Sequence, residues 1–288
     1  MKKKTTIFLI MFLVLFVGNL IICYAQEVEP RDSFTDGFIC EINTDGTRTY
    51  TIVGYESTIY TNIIPAEIDG YTVTRIADGA FKNKPQITGK IKLPDAIKSI
   101  GDEAFAGCVN ITSISMGSNL KTIGDSAFAN CTSLENVNFN NVQEIGNDAF
   151  FKCYSMVSGI EFPKTIKSIG DTAFYLSNVK EMKFQTVKAP TITEKTFEGA
   201  ENLKIIAPKY STGYTVEKYW PENIENYIIE GDINTDGIVN SADAAIVLEK
   251  YKYNNPTQKD LELADLNGDG LLNSADAAKV LSIYKYSK

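Results

Sequence analysis

The chain has 288 residues, a formal charge of −8 and no histidine. Without an imidazole there is no Ser–His–Asp or Cys–His catalytic pair and no histidine-bearing zinc site, which leaves carboxylate catalysis, hard oxygen-ligand metals, all-cysteine sites or pure recognition. The acidic balance argues against nucleic acid as a partner, because phosphates need a lysine- or arginine-rich face.

Lys2, Lys3 and Lys4 precede an apolar run over 7–17, and Cys23-Tyr24-Ala25 ends the stretch. A basic start, an apolar core and a small residue before the cut predict a secretory signal peptide over 1–25. Removing three lysines and no acid takes the charge from −8 to −11. Lipid attachment at Cys23 would want a small residue where Ile22 stands, and 7–22 falls short of the ~20 apolar residues of a membrane span. The expectation is a secreted, extracellular chain with no membrane association after cleavage. Cys40, Cys108, Cys131 and Cys153 would remain, enough for two disulfides.

From residue 64 the chain aligns on itself with a period of 22 to 24 residues. The copies are Ile76-Ala-Asp-Gly-Ala-Phe81, Ile100-Gly-Asp-Glu-Ala-Phe105, Ile123-Gly-Asp-Ser-Ala-Phe128, Ile145-Gly-Asn-Asp-Ala-Phe150 and Ile169-Gly-Asp-Thr-Ala-Phe174, with a weaker Ile192-Thr-Glu-Lys-Thr-Phe197. A period in the twenties signals a solenoid, whose units bury their cores only by stacking. Segments such as 97–100 and 111–116 read as short strands. Between them the Gly-Asp turn is expected to use glycine for positive φ and aspartate to bond backbone amides. Ala and Phe should then face inward as ladders, and Asn110, Asn178 and Asn202 should satisfy turn backbone groups. Cys108, Cys131 and Cys153 share one ladder position, read as a repeated small buried side chain; rungs ~4.8 Å apart also admit a disulfide.

These units resemble the bacterial cell-surface leucine-rich repeats of BspA type. The resemblance includes an entry at Ile64-Pro-Ala-Glu-Ile-Asp-Gly-Tyr-Thr-Val73 and an exit at Ile206-Ala-Pro-Lys209 with Tyr214, Tyr219 and Trp220. It implies a solenoid over 64–228, an N-terminal cap over 26–63 and a recognition surface without catalysis. The outward strand positions are polar, with Lys98, Lys121 and Lys167 on one ladder and Thr112, Glu135 and Lys180 on the other. Phe151, Tyr154 and Tyr175 interrupt that pattern on adjacent rungs and, with the lysine ladder, are the ligand-binding candidates of the solenoid. A solvated face and edge packing are the plainer readings of both groups.

The tail is an internal duplication at an offset of 33, pairing 231–245 with 264–278. Each copy places oxygen side chains at positions one, three, five, nine and twelve of a twelve-residue loop, with glycine at six, the EF-hand pattern. In the first loop the ligands would be Asp232, Asn234, Asp236, the carbonyl of Ile238, Asn240 through a water, and Asp243. In the second they would be Asp265, Asn267, Asp269, the carbonyl of Leu271, Asn273 and Asp276. Two Ca²⁺ ions are the expected cofactors. Six of the nine acids in 231–288 fall in these loops, and without a cation their repulsion should leave the tail loose.

Aspartate closes each loop and only the following helix is clear, over 244–253 and 277–286. That departure from an ordinary EF-hand resembles type I dockerins along the whole tail, 229–288. The resemblance implies a partner, the cohesin module of a cellulosome scaffold, met through Ser241, Ala242, Leu248, Glu249 and Tyr253. Their counterparts are Ser274, Ala275, Leu281, Ser282 and Tyr286. Ser-Ala stands where some dockerins have Ser-Thr. The near-identity of the copies predicts that either can face the cohesin after a half-turn.

The expected fold is therefore α+β and multidomain, a solenoid of short strands and irregular turns followed by a small helical dockerin. The expected function is recognition on a polysaccharide-degrading scaffold, the solenoid binding a protein partner. Two alternatives stay open, a carbohydrate-binding accessory and a glycoside hydrolase. The latter needs two carboxylates across a cleft, whereas Asp102, Asp125, Asp148 and Asp171 sit in or beside repeated turns.

Overall fold

The structure is a computed structural model that describes residues 16–17, 20–22, 37–56, 60–199, 203–209, 225–253 and 255–286. It is a β-solenoid of about seven turns followed by three helices. Each unit begins with a two-residue strand ending in the repeated isoleucine. Ser99–Ile100, Thr122–Ile123, Glu144–Ile145 and Ser168–Ile169 pair in parallel, register for register, and Tyr71–Ile76 precedes them. The second strands stack on another face. Thr61–Ile63, Ile87–Lys92, Ile111–Ser115 and Asn136–Asn138 form one parallel sheet, and Ile160–Phe162, Glu181–Phe184, Lys204–Pro208 and Glu225–Tyr227 form the next.

An antiparallel hairpin, Phe38–Ile42 with Thr49–Tyr55, starts the solenoid and hands on to Tyr71–Ile76 in parallel. Phe38 and Tyr55 cover the first rung, their ring centroids each 6.1 Å from Phe81. Inside the segment expected to be cleaved, Phe16–Val17 and Leu20–Ile22 pair with each other and then with Phe38–Ile42.

The core is the phenylalanine ladder. Phe81, Phe105, Phe128, Phe150 and Phe174 stack face to face with centroids 4.9, 5.1, 5.3 and 5.2 Å apart. The first four are fully buried, and the preceding alanines at 80, 104, 127, 149 and 173 are buried with them. Burying one such ring is worth roughly 2–3 kcal/mol, and each stacked contact adds about 0.5–1.5 kcal/mol. The sixth, Phe197, is only partly buried, as the weaker last copy leads one to expect.

The cysteine ladder is structural. Cys108, Cys131 and Cys153 are fully buried free thiols, and each Sγ donates to the carbonyl of a phenylalanine on the preceding rung, at 3.0, 3.2 and 3.3 Å. Burial pushes the Cys108 and Cys153 thiols up to about 12 and raises Cys131 as well. Asn110 and Asn178 donate to the carbonyls of Pro85 and Tyr154 one rung back, as expected of turn asparagines. Asn202, Tyr214, Tyr219 and Trp220 lie outside the described residues.

The turns depart from expectation in one respect. Gly101, Gly124, Gly146 and Gly170 do not adopt positive φ; the next residue but one does, with φ of 53° at Glu103, 55° at Ser126, 52° at Asp148 and 49° at Thr172. Glycine is required by proximity instead. A Cβ on Gly124 would stand 2.7 Å from the backbone nitrogen of Asp102, and one on Gly146 2.6 Å from that of Asp125. The space is taken by a polar ladder in which Asp102 and Asp125 each accept the backbone N–H one turn on, at 2.8 and 2.7 Å, and Asn147 continues the series to Asp171. These side chains satisfy turn amides that would otherwise lack partners.

Candidate functional site: paired calcium loops and two helix faces

The tail folds as α1 (Ser241–Tyr253), α2 (Gln258–Ala264) and α3 (Ser274–Tyr286). Helices α1 and α3 begin three residues earlier than the sequence pattern gave, because the closing aspartate of each loop falls in the first helical turn. A carboxylate there serves the loop and also faces the helix's free N–H groups. Helix α2 was not foreseen; a reciprocal capping box between Thr257 and Asp260 starts it. A core of its own, including Ile233, Val247, Leu272 and Val280, holds the three together.

The two loops share one hydrogen-bond plan. Asp232 accepts from the N–H groups of Asp236 and Gly237 at 3.1 and 2.9 Å, and Asp265 accepts from those of Asp269 and Gly270 at 3.2 and 2.8 Å. Asp236 and Asp269 turn back onto Ile238 and Leu271, each at 2.8 Å. Asp243 bonds the N–H groups of Asn234 and Asn240, and Asp276 those of Asn267 and Asn273. Such a wrap points the carboxylates inward. Asp243 and Asp276 are fully buried and Asp232 is 2% exposed. In the second loop Asp265, Asp269 and Asp276 bring one oxygen each within 4.8 Å of one another. Burial raises the Asp232 carboxyl above its ordinary range, the charges of Asp243 and Asp236 push the same way, and the Gly237 N–H opposes them.

These residues fit calcium. The donors are all hard oxygens, three carboxylates converge in the second loop, and the burial of Asp232, Asp243 and Asp276 is costly until a cation compensates it. Asn234, Asn240 and Asn273 are half-buried, and Asp236, Asn267 and Asp269 are exposed. The carbonyl of Ile238 accepts from Asn240 Nδ2 at 3.3 Å, which sets it on the same side of the loop as that ligand candidate. The Ile238 and Leu271 side chains are 56% and 64% exposed.

Matched side chains stand on the two helices outside the loops. Ser241, Ala242, Leu248, Glu249 and Tyr253 are exposed on α1, and Ser274, Ala275, Leu281 and Ser282 on α3. Leu248 and Leu281 are each 45% exposed, an equal presentation by the two copies. The Tyr286 side chain lies outside the described residues.

On the solenoid, the lysine ladder exists but is interrupted. Backbone bonds run from Lys121 to Lys98, from Gln143 to Lys121 and from Lys167 to Gln143, so a glutamine stands between the second and third lysines. Phe151 and Tyr175 stack at 5.8 Å, Lys152 Nζ lies 4.9 Å from the Phe151 ring centroid, and Tyr154 is 45% exposed. Phe151 ends an open groove of about 530 Å³ whose floor is Ala106, Gly107 and Ala129. Sequence reasoning named the aromatics but not the groove, which arises because alanines occupy on two rungs the place that Phe151 and Tyr175 fill on the next. The turn acids are in use within the fold: besides the backbone bonds of Asp102 and Asp125, Asp148 accepts from the Thr172 hydroxyl and Asp171 from that of Thr193.

A repeat solenoid joined to a small helical module with two duplicated acidic loops is the class of protein that this geometry defines. The BspA type leucine-rich repeat pattern matches residues 55–159 and 139–233, with six copies, and the type I dockerin pattern matches 230–282. The chain belongs to the BspA-type leucine-rich repeat proteins and carries a C-terminal type I dockerin domain. Similar solved structures are bacterial. A leucine-rich repeat protein of T. pallidum is 28% identical with a TM-score of 0.53, over 59% of this chain and 78% of that one. A leucine-rich cell surface protein of Faecalibacterium prausnitzii is 22% identical with a TM-score of 0.47, over 66% of this chain and 56% of its own length. One from Eubacterium ventriosum is 25% identical with a TM-score of 0.43, over 64% and 45%. No curated protein matches the chain significantly. Both modules are non-catalytic types, and together they support a cellulosome-type protein-interaction role. They suggest an extracellular or cell-surface protein. Among the described residues no helix is long and apolar enough to cross a membrane.

Proposed function

We propose that this chain is a secreted, non-catalytic recognition protein, attached to a cellulosome scaffold by calcium-dependent binding of its dockerin to a cohesin. Export would remove residues 1–25, including the two short strands that lie against Phe38–Ile42. Two Ca²⁺ would occupy the loops, through Asp232, Asn234, Asp236, the Ile238 carbonyl, Asn240 and Asp243, and through Asp265, Asn267, Asp269, the Leu271 carbonyl, Asn273 and Asp276. Calcium would neutralise the converging carboxylates and hold the N-termini of α1 and α3 in place for docking. The cohesin would meet one helix face at a time, Ser241, Ala242, Leu248, Glu249 and Tyr253 or Ser274, Ala275, Leu281, Ser282 and Tyr286. The observation that carries this reading is the pair of in-register loops with buried closing carboxylates, each followed by an equally exposed helix face.

The solenoid would bind the cargo, a protein partner, on its polar outer face with Lys98, Lys121 and Lys167. Capture by a panel of cohesins, with calcium and with chelator, tests the dockerin arm, and capture that survives chelation overturns it. Serine 241 and Ser274 changed singly should leave binding intact if both faces serve, and one dominant change sinks the two-face idea. A second reading, carbohydrate binding by the solenoid, draws support from the groove beside Phe151, since a flat aromatic wall with a polar rim suits a sugar ring. Binding of the full chain to a glycan array, lost in Phe151→Ala, would favour it over the protein partner.

A further inference from the structure

The duplicated tail is its own control. The loop residues 33 apart are the same at every side-chain ligand position and at the sixth-position glycine, and they share most of their hydrogen bonds, so a difference at those positions points to their surroundings. Gly237 and Gly270 both stand at the sixth position, with φ of 84° and 78°. Gly237 is nevertheless buried and Gly270 exposed. A Cβ on Gly237 would lie 3.2 Å from Val187 Cγ1, whereas one on Gly270 would meet no heavy atom within 4 Å. At the first position Asp232 is 2% exposed while Asp265 is half-buried.

The cover comes from the solenoid. Lys164 follows the strand Ile160–Phe162, and its Nζ donates to the Gly237 carbonyl. Val187 follows Glu181–Phe184, the neighbouring strand. Lys209 follows Lys204–Pro208, the next, and its Nζ pairs with Glu262 on α2. Three adjacent strands thus end on one corner that offers an apolar side chain between two ammonium groups. The loop opposite carries Asp232, Asp236 and Asp243, so the charges are complementary.

We propose that this corner is a docking surface for the first calcium loop of the same chain, so that calcium there fixes the dockerin against the solenoid while the second loop takes no part. The proposal rests on the calcium reading above. A closed loop is what presents the Gly237 carbonyl and a flat backbone to Lys164 and Val187. Without a cation the three carboxylates repel one another and favour opening. A surface that recognises only the closed form binds more strongly when calcium is present, and by linkage raises the calcium affinity of that loop. The consequence is positional: the helix faces proposed for cohesin are held at a set angle to the solenoid, and the cargo with them.

The test uses the full chain with Cys23→Ser, spin-labelled through Lys167→Cys and Glu249→Cys, both exposed positions. Cys40, Cys108, Cys131 and Cys153 are buried and escape the label. Saturating calcium should give one narrow interdomain distance and chelator a broad one. Asp236→Asn should broaden it in calcium, whereas Asp269→Asn should not. Because either change could loosen the shared dockerin core, Lys164→Ala with Val187→Ala provides the second arm. That pair should leave two ions bound by calorimetry and still broaden the distance. A narrow distance that survives the pair, or that persists in chelator, overturns the proposal. Two bound ions with a broad distance in the unaltered interface sink the docking alone, whereas no calcium uptake sinks the calcium reading together with it.

Discussion

The solenoid and the dockerin are both made by copying a short unit, but repetition does opposite things in them. In the solenoid each copy is apolar at the same places, so one unit covers the next and the ladder Phe81 to Phe174 grows by simple stacking. In the dockerin each copy is acidic at the same places: Asp243 and Asp236 act on Asp232 in the first loop, and Asp265, Asp269 and Asp276 converge in the second, charge that the small core around Val247 and Val280 does not offset. Copying an apolar unit lowers the free energy of folding with every copy, whereas copying an acidic loop creates a requirement for a cation.

The sharpest way to break that contrast is to remove calcium. Helices α1, α2 and α3 are the only ones among the described residues, so the helical circular dichroism signal reports the dockerin. Chelation should abolish most of it and leave the β signal of the solenoid unchanged. Retention of the helices would show that the loops tolerate their own charge.

A core substitution should do the reverse. Phe128 is fully buried between Phe105 and Phe150, so Phe128→Ala should cost about 3–5 kcal/mol. Denaturant titration should show the solenoid transition moving to lower concentration while calcium uptake is kept. If both modules shift together, they fold as one unit.

A smaller effect comes from the cap of α2. Burial pushes Asp260 upward, but the Thr257 N–H and hydroxyl and the Lys250 ammonium outweigh it and hold the carboxyl below its ordinary value. A depressed carboxyl stabilises above its ordinary pKa near 4, and the contribution fades as acid titrates it below that value. Asp260→Asn should therefore lower dockerin stability by under about 1 kcal/mol at neutral pH. Calcium-loaded thermal melts of the two proteins should converge as pH falls below about 4.

The last prediction has no stability cost at all. With thiols raised to about 12 by burial, Cys108 and Cys153 should resist alkylation at pH 8 in the folded chain and react once it is denatured. Fast labelling of the native protein would mean that the ladder opens.

The repeat itself was legible because stacking imposes a strict period on phenylalanine and cysteine, and the calcium loops because a cation needs oxygens at fixed spacing. Local details were less so. The role of Gly124 was misassigned to backbone torsion, since the Asp102 side chain that occupies its space comes from a turn 22 residues earlier. Helix α2 carries a signal, Thr257 with Asp260 three residues on, but it lies outside the duplicated loops and the helices that follow them.

Composition and spacing alone determined that the chain holds a stacked apolar array and two acidic loops, because both are properties of residues near one another in sequence. Tertiary structure decided what makes the equal copies unequal. Lys164 and Gly237 are 73 residues apart, and two loops with the same ligand positions acquire different surroundings when one of them meets a surface that the other does not reach. The groove beside Phe151 has the same origin: an alanine on one rung becomes a gap only when the next rung places a ring above it.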